Sequence, residues 1–190
     1  MLLLLYPSAS ATAYTPDSDP LRESLYFICR VQEATCLQER YISKRRPPLQ
    51  KIKLTLRLMD RSYRLLDQVN YVSKFMGSEN VVAAVQAGNE AVSSLQDAID
   101  FVNGYQKDGE SMQTDQKDFL IESLTETRDK LFEFVDYLPD QKKLAEARRR
   151  VEEENKLNVE EFDPDLANDA GIYNPIVLPW TIREKNVPRS

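Results

Sequence analysis

Residues 19–48 read DPLRESLYFICRVQEATCLQERYISKRRPP, and this stretch decides the fold class. Asp19 can cap a helix by accepting hydrogen bonds from its first N–H groups, and Pro20 suits the first helical position. Apolar residues then recur at helical spacing, at Leu21, Leu25, Ile28, Val31, Leu37, Tyr41 and Ile42. Pro47 and Pro48 end the run. The stretch predicts one long amphipathic helix from Pro20 to Arg46.

The distribution of proline and glycine extends this prediction along the chain. The 190 residues include 10 prolines but none between Pro48 and Pro139, and glycine occurs only 5 times. Proline removes a helical N–H group and clashes with the preceding turn, so its absence favours long helices. The pattern predicts three further helices, at 49–76, 78–102 and 114–138.

The second of these helices begins ambiguously. Ile52, Leu54, Leu56 and Leu58 alternate with polar residues, which is the period of a strand. The apolar residues that follow return to the helical period, at Met59, Tyr63, Leu66 and Val69. We therefore expect one continuous helix that ends at Gly77, a residue typical of helix C-termini.

The chain after Pro139 differs in composition. Residues 139–161 are highly charged, and Leu144, Ala147 and Val151 provide only a thin apolar stripe, which predicts a surface helix. Residues 162–190 contain four prolines and are expected to form an extended tail. The predicted fold is all-α: an up-down-up-down four-helix bundle over 20–138, followed by the charged helix and the tail.

The composition excludes several classes of function. Histidine is absent, which removes Ser-His-Asp catalysis, His-ligated zinc and the Glu-x-x-His di-iron bundle. The net charge of −6 argues against a nucleic-acid-binding coat. Cys29 and Cys36 lie too far apart along one helix for a disulfide, and without histidine a catalytic thiolate is not expected. We predict no enzymatic activity, no metal and no cofactor.

Two basic clusters are candidates for contact with an anionic surface. Lys44, Arg45 and Arg46 precede the two prolines and could contact phosphates, anionic lipid or an acidic protein, or simply form a solvated helix end. Residues 148–150 are all arginine, but residues 152–154 are all glutamate at four-residue spacing. That pattern favours a salt-bridged helix face for the second cluster.

The tail contains a second candidate site. Its apolar and aromatic residues include the only tryptophan, and prolines at 175 and 179 stiffen it. Such segments lose little entropy on docking, so the tail is a candidate partner-binding segment; the alternative is a strap across its own helices. The residues concerned are Ile172, Tyr173, Ile176, Val177, Leu178 and Trp180.

The N-terminal residues 1–19 suggest a cellular address. Ala11-Thr12-Ala13 fits the small-x-small pattern of a signal cleavage site, although the basic region of a complete signal is missing. The segment is interpreted either as a targeting remnant or as a disordered N-terminus. No apolar run approaches the ~20 residues of a membrane span.

The four predicted helices, at 20–46, 49–76, 78–102 and 114–138, together resemble the PsbQ-like helical bundle proteins of the thylakoid. The resemblance implies a non-catalytic subunit or assembly factor of a photosynthetic membrane complex, such as a photosystem, in the chloroplast. It also implies a location in the thylakoid lumen or at the membrane periphery. The alternatives are a helical adaptor in another compartment and an enzyme that depends on a partner or cofactor.

Overall fold

A computed structural model describes residues 15–104, 112–161 and 178–186. Within these ranges the secondary structure is helical and contains no strand, which confirms the all-α class. The helical elements are α1 (Pro20–Ile42), α2 (Leu49–Arg57), a π-helical turn (Leu58–Ser62), α3 (Leu65–Ser73), α4 (Val81–Asn103), α5 (Thr114–Asp136), α6 (Gln141–Glu161) and α7 (Pro179–Asn186).

Helix α1 begins where the sequence predicts. Oδ1 of Asp19 accepts hydrogen bonds from the backbone N–H groups of Leu21 (3.0 Å) and Arg22 (3.3 Å). These bonds satisfy donors that a helix start leaves without an internal partner. The start of α5 at Thr114 also agrees with the prediction.

The prediction of one continuous helix over 49–76 is wrong. A π-helical turn follows α2, and Arg64 adopts a left-handed conformation (φ 52°, ψ 54°) before α3 begins. The buried residues explain the break, because the step from Met59 to the next buried residue, Leu65, is six positions. Six positions rotate an unbroken helix by about 120° away from its buried face. The break restores that face, and Leu66 is left 48% exposed.

Helices α1, α4 and α5 and the α2–α3 segment pack together, and each of these four parts contacts two of the others. Helix α5 contacts both α1 and α4, and the α2–α3 segment contacts both as well. Helices α1 and α5 are antiparallel. Lys44, just after the end of α1, lies beside Lys117 near the start of α5, whereas Thr35 lies beside Arg128 further along α5.

The small residues of α4 form its packing face. Ala84, Ala87, Gly88 and Ala91 are buried, whereas Val82 is 77% exposed. A Cβ at position 88 would lie 2.4 Å from Cγ1 of Val69 and 3.2 Å from Cδ2 of Phe134. Glycine therefore allows α3 and α5 to approach α4 closely, which larger side chains would prevent.

Helix α6 packs on α1 and runs parallel to it. Leu144, Ala147 and Val151 are buried, as the thin apolar stripe predicts, and ion pairs flank them. The extended conformation predicted for the tail is wrong for Pro179–Asn186, which form α7. Proline at the first position of a helix gives up no internal hydrogen bond, so Pro179 starts the helix rather than preventing it.

Candidate functional site

The end of α1 and the start of α2 form a well-defined corner. Ser43 caps α1, with its backbone N–H and its Oγ both donating to the carbonyl of Glu39, at 3.0 and 2.7 Å. Pro47 and Pro48 then direct the chain into α2 without extending α1. Residues 43–46 at this corner are exposed to solvent.

The charge of this corner is all of one sign. Residues 40–57 contain seven cations and no acidic residue, although the whole chain carries a net charge of −6. We call this set the basic corner; it consists of Arg40, Lys44, Arg45, Arg46, Lys51, Lys53 and Arg57. None of the seven is buried. The acidic residues that flank it in sequence are paired, Glu39 with Arg128 at 2.5 Å and Asp60 with Arg61 at 4.0 Å.

The backbone and an aromatic ring hold part of the basic corner in place. The ammonium groups of Lys44 and Lys51 lie 4.8 and 5.8 Å from the centre of the Tyr41 ring. Nζ of Lys117, at the start of α5, donates to the carbonyl of Lys44 at 2.7 Å. Among the described residues, no ion pair involves Lys44, Arg45, Arg46 or Arg57. The predicted site at 44–46 is therefore exposed and positively charged.

An apolar side chain projects among these cations. Leu54 is 68% exposed, while Ile52 and Leu56 on the other face of α2 are buried in the core. Lys51 and Arg57 lie three residues before and after Leu54 and so share its helical face. The sequence predicts a contact site at residues 44–46 but not this extension along α2.

The second arginine cluster has a different structure. Arg149 pairs with Glu153 at 2.6 Å, and Arg150 pairs with Glu23 of α1 at 2.8 Å and with Glu154 at 3.1 Å. The guanidinium of Arg148 lies over the rings of Trp180 and Phe132, 5.8 and 6.0 Å from their centres. The salt-bridged helix face expected from the sequence is confirmed for Arg149 and Arg150.

The tail candidate is only partly within the described residues. Leu178 and Trp180 are buried, and Trp180 is 3% exposed against its own chain, as in the strap alternative. The guanidinium of Arg183, one turn later, pairs with Asp136 of α5. The other predicted contact residues, Ile172, Tyr173, Ile176 and Val177, lie outside the described residues.

The interface between α1 and α6 contains a buried polar cluster that sequence analysis missed. Nη1 of Arg30 donates to Glu33 at 2.7 Å and to Oδ1 of Asn155 at 2.9 Å, and Nδ2 of Asn155 donates to Glu33 at 2.5 Å. Burial raises the pKa of Glu33. In the sequence, Arg30 and Glu33 look like an ordinary surface pair at three-residue spacing, so nothing marks them as buried.

The two cysteines are free thiols. Cys29 is fully buried, which raises its pKa to about 12, and burial also raises the pKa of Cys36. A thiol that stays protonated is a poor nucleophile and a poor metal ligand. Within the described ranges, no three side chains of the metal-binding types come together.

No protein-family model, no curated protein and no solved structure matches the chain. None of the helices in the described part of the chain combines the length and the apolar composition needed to cross a bilayer.

Proposed function

We propose that this protein is a non-catalytic helical subunit or assembly factor of a membrane protein complex, which it contacts through the basic corner. One observation carries the proposal: Lys44, Arg45, Arg46 and Arg57 are exposed and lack an ion pair among the described residues of an acidic chain. Unpaired charges of one sign on one surface attract and orient a partner of opposite charge.

The helical scaffold supports this role. We propose that the α1, α2–α3, α4 and α5 segments form an up-down-up-down four-helix bundle, with α6 alongside α1. Such a bundle is rigid, and both ends of the basic corner are anchored in its core, through Tyr41 and Ile42 on one side and Leu49 and Ile52 on the other. A rigid charged surface loses little conformational entropy when it binds.

The specific setting that we propose is a photosynthetic membrane complex in the chloroplast, at the periphery of the thylakoid membrane or in the lumen. The resemblance of the predicted helices to the PsbQ-like proteins supports this setting. The small-x-small pattern at residues 11–13 is consistent with import and processing.

The test is affinity purification of the tagged full chain from membranes of its native source, with mass spectrometry of the co-purifying proteins. Three forms are compared: the wild type, a corner variant with Lys44→Gln, Arg45→Gln and Arg46→Gln, and an α6 variant with Lys142→Gln, Arg149→Gln and Lys156→Gln. The two variants change the net charge equally, and all six residues are exposed.

We expect subunits of one membrane complex with the wild type and with the α6 variant, and loss of those subunits with the corner variant. Recovery of photosystem subunits would support the thylakoid setting, whereas a complex of another membrane would support an adaptor elsewhere. Equal recovery with both variants would contradict the role of the basic corner.

A further inference from the structure

The face of α2 that carries Leu54 has the composition of a membrane-surface helix. Leu54 is 68% exposed, and the half-buried Leu58 lies four residues later on the same face. Lys51 lies three residues before Leu54, and Arg57 lies between the two leucines in the sequence. Helices that lie at a bilayer surface combine apolar side chains at the depth of the headgroups with cations beside the phosphates.

From this arrangement we infer that the basic corner binds an anionic lipid bilayer, with Leu54 inserted at headgroup level and the cations at lipid phosphates. This inference rests on the proposed function, because it assigns the lipid surrounding the complex as the partner of the same corner. The cations alone could bind any acidic surface. Burial of the exposed Leu54 side chain adds to binding only when the partner also offers apolar surface.

The distribution of charge over the chain fixes the orientation on such a membrane. The chain carries −6 and residues 40–57 carry +7, so the remaining residues carry −13. An anionic bilayer therefore attracts the basic corner and repels the bulk of the molecule. The corner docks with its exposed turn at 43–46 facing the lipid.

The test is flotation of the purified full chain with vesicles of phosphatidylcholine alone or of equal parts phosphatidylcholine and phosphatidylglycerol, at low and high salt. We expect binding to the mixed vesicles only, weakened by salt because the attraction is screened. Each Lys or Arg near an anionic surface strengthens binding about fivefold, so the corner variant should bind about a hundredfold more weakly. The α6 variant should bind as the wild type does.

A second pair of variants tests the leucine without changing the charge. Leu54→Ser should weaken binding to the mixed vesicles about three- to tenfold, because part of an apolar side chain is no longer inserted. Leu66→Ser is the matched control, since Leu66 is an exposed leucine on α3, outside the basic corner. Circular dichroism of all four variants should match that of the wild type.

Several outcomes would overturn the inference. They are absence of binding to the mixed vesicles, equal loss in the corner and α6 variants, or unchanged binding of Leu54→Ser. Binding to polyglutamate but not to vesicles would assign the corner to an acidic protein instead. If vesicle binding fails while the corner variant still loses its complex in the affinity purification, the lipid inference is wrong and the proposed function stands.

Discussion

The indole Nε1 of Trp180 donates a hydrogen bond of 2.9 Å to Oε1 of Glu152, which lies 28 positions earlier in the chain. This bond ties α7 to α6, and the buried indole and the Arg148 guanidinium over its ring add packing to the same contact. Trp180 thus provides one attachment of α7 to the rest of the molecule, and the ion pair between Arg183 and Asp136 provides another.

We expect Trp180→Ala to lower the free energy of unfolding by about 3–5 kcal/mol, the usual cost of removing a buried tryptophan. Trp180→Phe keeps most of the packing and loses the hydrogen bond, so it should cost less. Urea denaturation of both variants measures the difference. Full stability of Trp180→Ala, with loss of the partner complex, would instead identify Trp180 as a partner anchor.

Gly88→Ala should destabilise the protein by about 1–3 kcal/mol, because the new methyl group would overlap Cγ1 of the buried Val69. Calorimetry of the double variant with Val69→Ala provides the control, since the smaller side chain makes room at the same contact. We expect the two substitutions to be non-additive. Strict additivity would show that α3 and α4 do not pack closely at this point.

Substitutions at Arg64 test the break between α2 and α3. A left-handed backbone suits glycine and strains a β-branched residue, so stability should follow the order Gly, Arg, Val. We expect Arg64→Gly to be stabilising by up to about 1 kcal/mol and Arg64→Val to be destabilising by a similar amount. Loss of the exposed pair between Arg64 and Asp67 changes little. The opposite order of melting temperatures would contradict the break at Arg64 and support one continuous helix over 49–76.

The pH dependence of stability should report on Asp17. A hydrogen bond from the Arg22 side chain lowers the pKa of Asp17 to about 2, from 3.8. A carboxyl group with a lowered pKa in the folded state stabilises the protein above its unfolded pKa, and the stabilisation is lost as the pH falls toward its folded pKa. Asp17→Asn should therefore cost about 1–2 kcal/mol at neutral pH. The urea midpoints of variant and wild type should converge between pH 4 and 2; a constant gap would show that Asp17 contributes by packing alone.

Asn155→Ala should be among the most destabilising changes in α6. The substitution removes the amide that accepts from Arg30 and donates to Glu33. Each of these two side chains then lacks one hydrogen-bond partner at the interface between α1 and α6. The cost should be about 2–4 kcal/mol. Lys156→Ala, at an exposed position of the same helix, is the comparison. Equal urea midpoints for the two variants would show that the polar cluster does not hold α6 on α1.

Local signals in the sequence determined much of this architecture. The Asp19-Pro20 start of α1 and the buried positions Leu21, Leu25 and Ile28 follow from capping and periodicity alone. The break at Arg64 could not be foreseen in the same way, because no proline or glycine marks it. It arises from the need of two segments to face one core, which is a tertiary effect.

The same contrast holds for the candidate site. Charge at residues 44–46 is visible in the sequence, and the structure adds that these side chains are exposed and lack an ion pair among the described residues. The 68% exposure of Leu54 cannot be read from its residue type, because large apolar side chains are more often buried. Arg149 and Arg150 have glutamate partners on α6 that follow from four-residue spacing, whereas the pair of Arg150 with Glu23 of α1 does not follow from spacing.

The parallel contact of α1 with α6 has a consequence for the order of events during synthesis. Arg30 and its partner Glu154 are separated by 124 positions, and at about 5–20 residues per second a ribosome needs roughly 6–25 s to add them. During that time the face of α1 that carries Arg30 has been synthesised, but α6, which packs on this face, has not. Fragments that end before α6 therefore leave that face of α1 without its partner helix.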